Sequence, residues 1–201
     1  ERSIKKINGD SVKNEKQTTQ IKWDAEAAEK AGFEHFMMKE IHEQPKAIQD
    51  TLNSVIKDGA IDFSGLELTK EEILSFEQIY IVACGSAWHV GMAAQYVLED
   101  MARIPVRVEL ASEFRYRNPL IASNSMAIII SQSGETADSL AALRLAKANG
   151  MKTLAIVNVV GSSIAREADH VLYTLAGPEI AVAPRSHTGS QLLHDRQSRS
   201  R

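Results

Sequence analysis

Cysteine, aromatic side chains and long apolar runs are all scarce in this chain, and each scarcity removes a class of protein. Cys84 is the single cysteine in 201 residues. No intramolecular disulfide can form, and a four-thiolate metal site is excluded. A reducing compartment is expected, and with it a cytoplasmic location. Aromatic residues make up only 5% of the chain against 44% hydrophobic overall. The core must therefore be aliphatic, which suits an alternating α/β protein better than an aromatic-rich β-sandwich. No apolar run approaches the roughly 18 residues of a membrane span, and Glu1-Arg-Ser-Ile-Lys-Lys6 is not a signal peptide. A net charge of −3 gives no reason to expect a nucleic acid or an anionic membrane as partner. The first residue is Glu and not Met, so upstream sequence is expected.

What is present falls into segments. Residues 1–20, rich in Lys, Asn, Gln, Thr and Asp, read as a solvated connector. Residues 21–76 read as a helical arm. Asp24 can cap Ala25–Ala31, with Gly32 ending that turn. Phe33, Phe36, Met37, Glu40 and Ile41 then recur at helical spacing. Pro45 is expected to interrupt the helix or to open the next one. Beyond it Ile48, Leu52, Val55 and Ile56 make an apolar stripe ending at Gly59, expected to be core.

From Gln78 the rhythm becomes strand, helix, strand. Strands are expected at Ile79–Ala83, Val106–Leu110, Ala127–Ile130, Thr153–Val157 and His170–Leu175. Helices are expected at Ser86–Met101, at Thr136–Asn149, and briefly after Ser162 or Ser163. Apolar strands 20 to 30 residues apart with helices between them imply a doubly wound, mostly parallel sheet.

In such sheets ligands bind at the carboxyl ends of the strands, where strand order reverses. Two turns there carry suitable residues: Ala83-Cys-Gly-Ser-Ala-Trp-His89 and Ser131-Gln-Ser-Gly-Glu-Thr136. Each leaves a strand and opens a helix, so unpaired N–H groups project from the positive end of a helix dipole. Hydroxyls of Ser86, Ser131, Ser133 and Thr136 can add donors, which makes an anion cradle suited to phosphate. The competing reading is ordinary N-caps and βα turns. Three or four hydrogen bonds of about 1.5–3 kcal/mol each would offset the cost of association and give micromolar to millimolar affinity. Other nucleotide motifs fail: neither G-x-G-x-x-G nor G-x-x-x-x-G-K-[ST] occurs. Cys84 lacks a partner for nucleophilic work and reads as a small residue at a strand end. His35, His42, His170, His187 and His194 have no ligand spacing, so neither metal nor cofactor is expected. Arg115 and Arg117 can face a ligand, a partner subunit or solvent.

Ser131-Gln-Ser-Gly-Glu-Thr-Ala-Asp138 resembles the phosphosugar-binding signature of sugar isomerase (SIS) domains. His35-Phe-Met-Met-Lys-Glu-Ile-His-Glu-Gln-Pro45, Ala111-Ser-Glu-Phe-Arg-Tyr-Arg117 and Asn158-Val-Val-Gly-Ser-Ser163 resemble a narrower group, the glutamine–fructose-6-phosphate aminotransferase (isomerizing) family. The resemblance runs from about Ile21 to Ala183. It implies a flavodoxin-like SIS domain over 77–183 and a part in making glucosamine 6-phosphate and glutamate from fructose 6-phosphate and glutamine. It also implies fructose 6-phosphate or glucose 6-phosphate as ligand, and a homodimer through SIS domains. Carried over by position, Ser131, Gln132, Ser133 and Thr136 match the phosphate loop. Ser86 matches a hydroxyl position, Ala87 offers only its N–H, and Val182 matches a residue whose backbone lies beside the sugar.

The pattern breaks after Ala183. The family would continue Ser-Thr-Lys, whereas this chain reads Pro184-Arg-Ser, and 184–201 are expected to be a divergent, disordered tail. Residues 1–20 offer no N-terminal cysteine for releasing ammonia from glutamine. The family's acid–base residues belong mostly to a second SIS domain, so no catalytic residue is named here. The expectation is a piece of the aminotransferase comprising linker, arm and first SIS domain, binding the sugar without turnover. The alternatives are a non-catalytic sensing or scaffolding module, and a single-domain ketose–aldose isomerase.

Overall fold

A five-stranded, all-parallel sheet carries this molecule, and its strand order places one crevice. The computed structural model describes residues 29–62 and 64–180, with two short strands nearer the amino end, β1 (Ile4–Lys5) and β2 (Ser11–Val12), paired antiparallel. The rest of the expected connector, the turn at 25–31 up to residue 28, Val182 and the tail from 184 lie outside the described residues.

The large sheet contains β5 (Gln78–Ala83), β6 (Val106–Leu110), β7 (Ser125–Ser131), β8 (Lys152–Val157) and β9 (His170–Tyr173), in the order β6-β5-β7-β8-β9. Counting from β5 this is 2-1-3-4-5, the flavodoxin-like order, so the chain reverses direction across the sheet between β5 and β7. Every neighbouring pair is parallel. The strands form where β-branched residues alternate between two buried faces. Tyr80, Val82, Ala127, Ile129, Ala155 and Val157 point to one side. There they pack on α4 (Ala111–Phe114), α5 (Ala137–Ala148) and α6 (Ser163–Glu167) through Phe114, Leu143 and Ile164. Ile79, Ile81, Val106 and Met126 point to the other, against Ala94 and Leu98 of α3 (Gly85–Ala102). Gly91 lets α3 approach: a Cβ there would stand 2.8 Å from Ile81 Cγ2 and 3.0 Å from Val108 Cγ1.

The arm differs from its expectation. One helix, α1 (Phe36–Val55), runs through Pro45 without a break. Proline removes a backbone donor, which strands the carbonyl of Ile41. Both residues are exposed, so water can satisfy that carbonyl and the helix continues. The apolar stripe is not core either. Ile48, Leu52 and Val55 are only partly buried and Ile56 is exposed, as are Met37 and Ile41 ahead of Pro45. The buried face consists of Lys39, Glu40, Ala47 and Thr51. Its polar groups are fastened. Lys39 Nζ donates to the Glu29 carbonyl and Thr51 Oγ1 to that of Thr174, while Ile180 N–H donates to Glu40 Oε1 at 2.8 Å. The helix ends at Val55 because a hairpin follows, β3 (Ile56–Lys57) and β4 (Ala60–Ile61). Asp58 and Gly59 turn it with φ of 52° and 77°, the two left-handed residues that a type I′ turn needs. A short helix, α2 (Lys70–Ser75), leads into β5.

Candidate sugar-phosphate site

The register of the two central strands delivers two turns to the same place. Ala83 pairs with Ile130, so β5 and β7 end side by side, and α3 and α5 begin immediately beyond them. The turns line a single cleft of about 170 Å³. Its walls include Cys84, Ser86 and Ala87 from the first turn, and Ser131, Gln132, Ser133, Thr136 and Ser139 from the second. The two sides touch where Ser139 Oγ donates to Cys84 Sγ at 3.7 Å. None of the residues lining the cleft carries a formal charge, so an anion there would meet only neutral donors and the helix ends.

Those helix ends are open. Cys84 and Thr136 hold the N-cap positions of α3 and α5, and neither side chain caps its helix. Thr136 is thus not the routine cap that its sequence position allows. Hydroxyls divide into two kinds. Ser131 is buried and accepts from Gly134 N–H at 3.1 Å, with Thr136 Oγ1 3.3 Å away, so its oxygen shapes the loop. Ser133 Oγ accepts from Glu135 N–H at 3.2 Å, which leaves its proton available to a ligand.

Gly134 must be glycine. Its φ is 64°, and a Cβ would fall 2.0 Å from Ser162 Oγ and 2.5 Å from Ser162 Cβ. The loop between β8 and α6 therefore presses directly on the back of the second turn. Asn158 belongs to that loop and faces two ways. Its N–H donates to the Gln132 carbonyl at 3.0 Å. Its side chain holds Ala176 N–H at 2.8 Å and the Gly177 carbonyl at 2.7 Å. The segment after β9 is thereby tied to the cleft, and Val182 beyond it lies outside the described residues.

Other candidates lie elsewhere. Arg115 binds Asp138 in the first turn of α5 at 2.6 Å, and that carboxylate holds the guanidinium's pKa above its ordinary value. Arg117 pairs with Glu109. His89 is exposed on α3 and stacks edge-on against Trp88, with ring centres 4.9 Å apart, so it does not serve Cys84. Among the described residues no cluster of His, Cys, Asp or Glu could hold a metal ion, and no helix is long and apolar enough to cross a membrane. Sequence reasoning missed Ser139, whose position one turn into α5 faces the cleft, and Asn158 and Ser162, whose part is purely tertiary.

Known proteins resemble this chain in sequence and in fold. The chain is 58% identical over 175 residues to a glutamine–fructose-6-phosphate aminotransferase of Caldanaerobacter subterraneus subsp. tengcongensis, covering 87% of this chain and 29% of the relative. It is 56% identical over 187 residues to that of Clostridium acetobutylicum, covering 92% and 31%. It thus spans about a third of the length of these curated relatives. The solved C-terminal domain of the Francisella tularensis glucosamine–fructose-6-phosphate aminotransferase superposes with a TM-score of 0.76 at 41% identity, covering 82% of this chain and 47% of that one. The SIS domain model matches residues 72–194, and with more than half its length inside that match this chain belongs to the SIS domain family.

Proposed function

We propose that this chain is a sugar-phosphate-binding SIS unit of a glutamine–fructose-6-phosphate aminotransferase, contributing to the conversion of fructose 6-phosphate and glutamine to glucosamine 6-phosphate and glutamate. In this reading residues 21–76 form the arm and 77–183 the binding domain. The phosphate of fructose 6-phosphate or glucose 6-phosphate lies between the two turns. It is held by Ser86, the Ala87 N–H, Gln132, Ser133 and Thr136, with Ser131 shaping the loop and Val182 beside the sugar. Two such units pair as a homodimer.

One observation carries this reading: both turns open into one uncharged cleft at the switch point, each with an uncapped helix behind it. Charge-assisted hydrogen bonds from preset amides and hydroxyls are the strong kind. No carboxylate, imidazole or ammonium lines the cleft, so the chain alone binds its sugar without turning it over.

Titration with fructose 6-phosphate, glucose 6-phosphate and plain fructose tests this. Only the phosphorylated sugars bind, and Ser133→Ala weakens them about tenfold, the worth of one such bond. Equal binding of fructose and fructose 6-phosphate refutes the assignment.

A further inference from the structure

Glu135 is an anomaly if the loop binds an anion: a carboxylate stands among the residues that would cradle a dianion. The structure shows where its charge goes. Glu135 Oε1 accepts from Ser163 N–H at 2.7 Å, away from the cleft walls. Hydrogen bonds from Ser163, its backbone first, hold the carboxyl below its ordinary pKa, with a weaker contribution from Arg166. The group is therefore ionised at neutral pH and engaged.

This contact is one of three that bind the turn to the loop behind it. Asn158 N–H donates to the Gln132 carbonyl and Ile164 N–H to the Gly134 carbonyl, both at 3.0 Å. A trans peptide points its N–H opposite its carbonyl. Drawing the Gln132 carbonyl back toward Asn158 thus turns the Ser133 N–H the other way, toward the cleft. The absence of a side chain on Gly134 lets Ser162 close against it.

We propose that Glu135 is a positioning residue for the phosphate cradle: its carboxylate latches the turn after β7 to the first turn of α6 and the 158–162 loop before it, which keeps the amides of Ser133 and its neighbours aimed at the ligand. The inference rests on the sugar-phosphate reading of the cleft. It predicts that the acceptor matters and the charge does not, since a formal negative charge near a dianion is no help by itself.

The test compares Glu135→Ala with Glu135→Gln in the full 201-residue chain. Fructose 6-phosphate affinity, thermal midpoint and amide hydrogen exchange over residues 131–136 are measured. Glutamine keeps an oxygen for Ser163, so E135Q binds within about twofold of the unaltered chain, while E135A binds about tenfold more weakly and exchanges faster. E135Q keeps the unaltered thermal midpoint and E135A lowers it by no more than about 4 °C, as expected for one exposed hydrogen bond. Unchanged affinity and exchange in E135A overturn the proposal, and so does E135Q behaving like E135A. If the unaltered chain fails to bind fructose 6-phosphate, the functional reading falls, while exchange over 131–136 still decides whether the latch exists.

Discussion

The two ends of the central sheet use the same residue types for opposite purposes. At the amino end, Asp169 accepts from Thr153 N–H at 2.9 Å, from Thr153 Oγ1 at 2.7 Å and from Lys147 Nζ at 2.8 Å, fastening β9 and α5 to β8. On α2, Thr69 and Glu72 cap each other's backbone in a complete capping box. At the carboxyl end, α3 and α5 start without a side-chain cap, and serine and threonine hydroxyls line an open cleft. Polar groups stabilise one end and remain available at the other. α4 and α6 also start at the carboxyl end without a side-chain cap, so the cleft is distinguished by the convergence of two turns and not by uncapped helix starts alone.

The largest test of this contrast is Gly134→Val at the carboxyl end. A side chain there collides with Ser162 and must adopt a left-handed φ. Sugar-phosphate binding falls more than about 100-fold by calorimetry, and stability drops by roughly 2–3 kcal/mol in denaturant titration.

Asp169→Ala at the other end does the reverse. It leaves the Thr153 N–H and hydroxyl without their acceptor and Lys147 with only the Glu167 carbonyl, and costs about 2 kcal/mol of stability, with binding within about twofold. Burial pushes the Asp169 carboxyl up, but Lys147 and Thr153 together hold it below its ordinary value. A lowered folded pKa means that the stabilisation is complete above the ordinary aspartate range and is lost as pH falls through the folded value. Acid titration of the unaltered chain therefore shows this loss below about pH 4, and Asp169→Asn removes that component.

Smallest is Thr69→Ala, which deletes the α2 cap. It costs about 1 kcal/mol and leaves the cleft untouched, as chemical denaturation beside a binding titration would show.

The same contrast explains what the sequence could reveal. All five strands of the large sheet were legible, because buried parallel strands are apolar runs with local boundaries. Both strand-end turns that line the cleft were legible too, since a glycine and hydroxyls between strand and helix are a local pattern. The arm was misread: proline on a solvent-facing side does not stop a helix, and α1 buries Lys39, Glu40 and Thr51 through partners distant in sequence. The Asp58-Gly59 turn and the Thr69-x-x-Glu72 capping box carried signals that periodicity alone passes over. Asn158, Ser162 and Glu135 act across elements, and no spacing shows that.

The most direct measurement follows backbone amide resonances while fructose 6-phosphate is added. If both turns grip one phosphate, the amides of Ser86 and Ala87 shift together with those of Gln132, Ser133 and Thr136, all along one binding curve, and plain fructose leaves them in place. Shifts confined to one turn, or two turns following different curves, would contradict the shared cradle.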